Sequence, residues 1–416
     1  MKPAPTSTVE RTPTPRRKPF AWLMGPAFVA AIAYVDPGNV AANLTAGARF
    51  GYLLVWVLVA ANVMAMLVQY LSAKSGLVTG KSLPRLLGER LPKKRRIAYW
   101  AQAELVAIAT DLAEVLGGAI ALKILFDIPL LLGGLIVGAV SLVILGIQSR
   151  GGQRPFELVI MGLLLVITIG FTAGLFVSGV SWPATANGLI PRFDGGESVL
   201  LAASMLGATV MPHAIYVHSA LAKDRHGHQP AELPRILHAT RWDVGISMLV
   251  AGAVNIAMLL LAAAALQGVA GTDSIEGAHA AIATGLGPAF GVLFGIGLLA
   301  SGLASTAVGS YAGATIMGGL LHIQIPLLAR RAITLIPALV ILAVGINPTT
   351  ALVLSQVFLS LGIPFALIPL VRLTSDRALM GAHVNSRPLR IAAWVVIALV
   401  IALNLALVVF TVLGWG

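Results

Sequence analysis

The chain has 416 residues, 58% hydrophobic and only 11% charged, with no cysteine, and its mean hydropathy is +0.91. A soluble globular chain is nearer half apolar and a quarter charged, so this composition excludes one and predicts an all-α, polytopic membrane protein. The lack of cysteine excludes disulfides and thiolate metal ligands, and the net charge of +12 raises the question of nucleic acid.

In chain order, residues 1–19 are rich in Pro, Thr and Arg and read as a disordered arm. No cleaved secretory signal is recognisable, because 21–35 runs straight into a polar motif. Apolar runs then predict eleven spans, at about 21–48, 51–73, 97–124, 128–148, 156–180, 199–222, 243–268, 280–318, 327–346, 349–372 and 389–414. Residues 50–73, 158–191, 244–272 and 391–416 carry no charge at all, and each exceeds the ~20 residues a spanning helix needs. With the N-terminus in the cytoplasm, cytoplasmic segments hold all of the 28 basic residues except Arg49, Lys123 and Arg192. The positive-inside rule therefore predicts N-terminus inside and C-terminus outside. The positive charge is topological, which disposes of the nucleic-acid reading.

Span one contains Val35-Asp36-Pro37-Gly38, and span six contains Val210-Met211-Pro212. The two prolines interrupt apolar helices at corresponding places five spans apart. Five is odd, so the second unit enters the membrane inverted. Paired broken helices in inverted halves point to a secondary transporter's binding site; a single proline would more often be a plain kink. Around the first break, carbonyls of about 32–35 lose helical partners. Asp36 itself costs roughly 2.5–3.5 kcal/mol at a helix centre. A bound cation offsets both penalties.

Asp36 offers a carboxylate, Asn39 an amide oxygen and Met211 a thioether. Hard Mg²⁺ and Ca²⁺ prefer oxygen shells, whereas a thioether suits softer ions, so the mixture points to divalent Mn, Fe, Co or Cd. Met is otherwise a common core filler. A ligating carboxylate must be ionised, so metal loading is expected to release a proton. Glu104, Asp111 and Glu114 in span three fall on one helical face and are candidates for its route, with Arg330 and Arg331 as partners. A structural ion-pair network explains them equally well. His213 titrates nearest neutral pH. His218 is a network member or a packing residue, and His226, His228 and His238 are expected to stay solvated. Gln356 either completes the metal shell in one state or bonds a neighbouring helix.

DPGN in span one, MPH with the following HS in span six, AELVAIATDLAE in span three and SQVFLSLGIPFAL in span ten resemble the Nramp family of divalent-metal transporters, particularly its bacterial proton-dependent manganese transporters. The resemblance implies a LeuT-like fold: repeat one over 20–180, an inverted repeat two over 181–376, and an eleventh helix over 377–416. It implies inward symport of Mn²⁺ or Fe²⁺ with protons by alternating access, in a cell membrane, with no cofactor, by a working unit of one chain. It matches Asp36, Asn39 and Met211 to metal-binding side chains, Ala33 and Ala208 to backbone-carbonyl donors, and Gln356 to a state-dependent ligand. Glu114, His213, Asp111 and Arg331 match the proton-linked network. Ala214 follows MPH where the family often has Asn. A Mg²⁺-carrying branch lacks the methionine that this chain keeps. Among alternatives, an amino-acid carrier of this fold is disfavoured because Asp36 repels a substrate carboxylate. An intramembrane enzyme lacks any readable motif, and a sensor without transport is separable only by a flux assay.

Overall fold

The computed structural model describes residues 19–227, 229–272, 274–323 and 325–413. The first half comprises α1 (Pro26–Ala31), a 3₁₀ turn (Ile32–Val35), α2 (Pro37–Phe50), α3 (Val55–Thr79), α4 (Leu83–Arg90), α5 (Lys93–Phe126), α6 (Leu130–Gly151), α7 (Gln153–Thr172) and α8 (Trp182–Asn187). The second comprises α9 (Gly195–Thr209), α10 (Pro212–His226), α11 (Leu233–Ala265), α12 (Ile275–Leu286), α13 (Pro288–Leu321), α14 (Leu327–Val344), α15 (Pro348–Thr374), α16 (Arg377–Met380) and α17 (Arg387–Leu413). Among the described residues, 9 helical segments are long and apolar enough to cross a membrane, counting α9 and α10 as one. With the broken first span and the 18 residues of α14, every expected span has a helical counterpart. The chain is a multi-pass membrane protein. Side chains such as Val143, Leu165, Leu249 and Val340 stay exposed on the helices, as a lipid-facing surface requires.

The packing pairs reveal the inverted repeat. Span one packs on span seven (α2 on α11) and span six on span two (α10 on α3); exchanging each span for the one five further on converts one pair into the other. The same exchange converts α7 on α13 into α15 on α5, while α5 on α13 and α6 on α14 map onto themselves. Small residues permit this closeness. Gly302 of α13 lies against Gly118 and the Glu114 carbonyl of α5. A Cβ on Gly117 would collide with Pro37, so α5 rests directly on the first break.

Helix α1 has only 6 residues, too few to be stable alone, and its front end is held by side chains. Asp243 of α11 accepts from the amides of Gly25 at 3.0 Å and Ala27 at 2.9 Å. Arg225 lies 3.6 Å over the Trp22 ring.

Two expectations need correcting. Span 280–318 is not one helix: α12 ends before Gly287, whose φ of 111° suits a residue without a Cβ, and Pro288 opens α13. His226 is not solvated but 6% exposed, in the last turn of α10. His238 is exposed against Phe20, and His228 lies outside the described residues.

Candidate metal-binding site

Each proline frees one carbonyl. In an α-helix the amide of residue i bonds the carbonyl of i−4, and Pro37 and Pro212 have no N–H to give Ala33 and Ala208. At the first break Asp36 is extended (φ −71°, ψ 168°) and caps α2, its Oδ1 accepting the Asn39 amide at 2.8 Å. Neighbouring helices then satisfy two carbonyls: Asn255 Nδ2 donates to Tyr34 at 2.6 Å and Ser301 Oγ to Val35 at 2.5 Å. At the second break α9 ends at Thr209, and Val210 (φ −106°, ψ 65°) and Met211 (φ −70°, ψ 126°) leave the helix before Pro212 restarts it.

The two breaks meet. The Asn39 side-chain nitrogen donates to Asp36 Oδ1 at 2.7 Å, to the Ala208 carbonyl at 3.0 Å and to the Ala33 carbonyl at 3.4 Å. Three oxygens from two interrupted helices thus converge on one electropositive amide. Asp36 Oδ2 and Asn39 Oδ1 are buried with no hydrogen-bond partner among the described residues. Turning the Asn39 amide over would bring its oxygen to the convergence point. Met211, 0% exposed, lies in the same buried cluster as Ala33, Tyr34 and Val35. Gln356 touches both breaks: a Cβ on Gly38 would land on its amide, and one on Gly207 on its backbone carbonyl. Its amide reaches Ser355 Oγ at 3.5 Å and no neighbouring helix among the described residues, and its Oε1 has no partner. No group of three or more His, Cys, Asp or Glu positioned for a metal occurs among the described residues. This point is built instead from two carbonyls, one carboxylate and an amide, with Met211 buried at the N-cap of α10 beside the second break.

Two of the three acids of α5 are paired with arginines of α14. Glu104 meets Arg330 at 2.6 Å and Asp111 meets Arg331 at 3.4 Å, with Arg331 also donating to Ser141 Oγ at 3.1 Å. Glu114, one turn before Gly117, lies against Gly309 of α13. His213 Nδ1 is 3.4 Å from Thr110 Oγ1 of α5. His218 belongs elsewhere: its Nδ1 is 2.7 Å from Gln69 Oε1, and Gln69 Nε2 donates to the Tyr34 hydroxyl. Asn255, Ser301, Gln69 and Ser141 were not expected in these roles; their sequence signal is no more than an uncharged polar residue within an apolar span.

Pro212→Ala is a direct check on the second break. It restores an N–H that would recapture the Ala208 carbonyl. We expect Mn²⁺ affinity to fall about tenfold, roughly one hydrogen bond to a charged group, with thermal stability kept or raised. Unchanged affinity by calorimetry would remove Ala208 from the donor set.

An inverted-repeat bundle with two proline-broken helices meeting at a buried oxygen-rich point defines a membrane transporter of the LeuT-like fold. Residues 27–410 match the model of the natural resistance-associated macrophage protein-like family, Nramp, and the chain belongs to it. It is 62% identical over 395 residues to the divalent metal cation transporter MntH of Mycobacterium tuberculosis, covering 94% of this chain and 92% of that one. It is 47% identical over 392 residues to MntH of Bacillus subtilis, covering 94% and 92%. The Eremococcus coleocola manganese transporter superposes with a TM-score of 0.82 at 30% identity, over 94% of this chain and 86% of that one. The nucleobase-cation-symport transporter Mhp1 shares the fold at 14% identity and TM-score 0.60, covering 93% and 91%.

Proposed function

We propose that this chain imports Mn²⁺, and also Fe²⁺, Co²⁺ or Cd²⁺, together with protons by alternating access. The reading rests on one observation above all: Asp36 Oδ1 and the Ala33 and Ala208 carbonyls converge on a single point from two broken helices. On this reading Asp36, Asn39, Met211 and the carbonyls of Ala33 and Ala208 hold the ion, with Gln356 joining in one state. The oxygens replace hydration, and the thioether favours a softer ion over Mg²⁺ or Ca²⁺. Asp36 exchanges its proton for metal, and Glu114, His213, Asp111, Arg331 and Glu104 carry the proton onward. Membrane potential adds ~4.6 kcal/mol per 100 mV on a dication.

The same reading places the protein in the cell membrane as a monomer, N-terminus inside and C-terminus outside, without a resident cofactor. Repeats 20–180 and 181–376 supply the two broken helices, and 377–416 supplies the eleventh span. Mn²⁺ uptake into proteoliposomes, with and without a pH gradient, tests it. Uptake accelerated by an inward proton gradient is expected; no uptake under any gradient rejects transport. Selectivity has its own check. In Met211→Ala, Ca²⁺ and Mg²⁺ should compete for Mn²⁺ uptake ~10-fold better than in the parent. An unaltered competition curve would mean that the sulfur is not the filter.

A further inference from the structure

Helix α15 carries two prolines inside it, Pro364 and Pro369, and each frees the carbonyl four residues before it, as Pro37 and Pro212 do. Those carbonyls belong to Ser360 and Phe365. Neither is left unbonded at membrane depth, where water is not at hand to satisfy it. The Tyr99 hydroxyl of α5 donates to Phe365 at 2.6 Å, and the Asn404 amide of α17 donates to Ser360 at 2.8 Å. The second contact is reciprocal, because Ser360 Oγ donates back to Asn404 Oδ1 at 2.8 Å. Both ends of the Asn404 amide are therefore in use, which fixes its orientation. Both residues are buried.

The turn held in this way is the one that meets the candidate metal site. Gln356 begins it and lies against Gly38 at the first break. A Cβ on Gly207, one residue before Ala208, would strike the Gln356 carbonyl and the Ser360 amide. A Cβ on Gly362 would come within 3.3 Å of the Pro212 ring. Residues 356–362 thus back the second break on both sides. The Gln356 side chain has little hold of its own among the described residues: its Nε2 reaches Ser355 Oγ at 3.5 Å, and its Oε1 has no hydrogen-bond partner. Where that amide lies is set by where the turn lies.

We propose that Asn404 is a positioning residue for the metal site: it supplies the hydrogen bond that Pro364 removes, and so holds turn 356–360 where Gln356 and Ala208 face the ion. Without that donor the Ser360 carbonyl stands unbonded, and α15 is free to bend further at Pro364. Such a bend carries Gln356 away from the first break and loosens the support beneath Gly207. The eleventh helix, which lies outside the ten spans exchanged by the repeat, thereby acts on the site without touching the ion. The inference rests on the proposed roles of Gln356 and Ala208 as metal donors.

Calorimetry on the full chain in detergent, with Mn²⁺ as titrant, tests this by a mutant cycle. Asn404→Leu should weaken Mn²⁺ binding about fivefold, the worth of one neutral hydrogen bond. In a Pro364→Ala background the amide of residue 364 returns to Ser360, and the same Asn404→Leu change should then cost less than about twofold. Parental affinity in Asn404→Leu overturns the proposal, whatever its melting temperature does. So does an equal loss in both backgrounds, which would make Asn404 a packing residue indifferent to the Ser360 carbonyl. If Asn404→Leu alone does not accumulate, its combination with Pro364→Ala should, and failure of both is again fatal. Asp36→Asn keeps the site reading separate. Parental Mn²⁺ binding in that variant places the ion elsewhere, whereas binding lost there but parental in Asn404→Leu rejects the positioning role alone.

Discussion

Asp36→Asn should reduce Mn²⁺ uptake by a factor of ~100 or more while leaving the protein folded. Asn caps a helix about as well as Asp, so the bond to the Asn39 amide at 2.8 Å survives and the break keeps its shape. What disappears is, among the described residues, the only carboxylate at the convergence point. Removing one partner of a buried charge pair typically costs 3–5 kcal/mol, which is about two to four powers of ten in affinity. Calorimetry should show Mn²⁺ binding lost, and a thermal melt of the ion-free variant should match or exceed the parent, since one fewer unpaired carboxyl then sits at membrane depth. If the variant bound Mn²⁺ as the parent does, Asp36 would serve only as a cap and the ion would have to lie elsewhere.

The second large effect is on stability. Arg331 is the largest of the fully buried side chains and is 1% exposed; its guanidinium meets Asp111 at 3.4 Å. Arg331→Leu strands Asp111, itself 2% exposed, among apolar helices. A loss of ~3–5 kcal/mol is expected, seen as a marked fall in the melting temperature of the detergent-purified protein. Adding Asp111→Leu should recover much of it, because a buried ion pair replaced whole by apolar groups is often neutral. Additive losses in the double variant would mean the two side chains are not coupled.

Much of this arrangement could be read from residues alone, for identifiable reasons. A proline removes one backbone N–H wherever it occurs, yet Pro337, Pro364 and Pro369 sit inside α14 and α15; Pro37 and Pro212 announced their breaks by matching positions five spans apart, beside Asp36 and Met211. The residues alone pointed to carbonyls of about 32–35, and Ala33 and Ala208 were matched through the resemblance; the i−4 rule accounts for both once the breaks are seen. The acids of α5 were legible because a charge in a spanning helix is expensive and their spacing fixes a common face. Other features leave no such mark. Asn255 and Ser301 look like any uncharged polar residue in a span; that they satisfy Tyr34 and Val35 depends on where two other helices come to rest. Gly287 and Pro288 lie in a run with no charged residue over 277–329, so the turn between α12 and α13 was passed over by a count of apolar, uncharged runs. His226 was misjudged because lying beyond a predicted span was equated with contact with water, whereas the last turn of α10 turns His226 inward while Asp224 stays exposed.

The position of the Asn39 amide has a consequence for which ions are admitted. Its nitrogen holds three acceptors at 2.7, 3.0 and 3.4 Å, so any incoming ion must first evict a neutral group that already suits the oxygens. Doubling the charge doubles the Coulomb attraction to Asp36, while the cost of eviction stays the same. The resting amide is therefore a threshold that sodium and potassium, abundant but singly charged, meet with half the attraction of a dication. On the proposed reading, that doubled attraction offsets part of the dication's larger dehydration cost before any sulfur is touched.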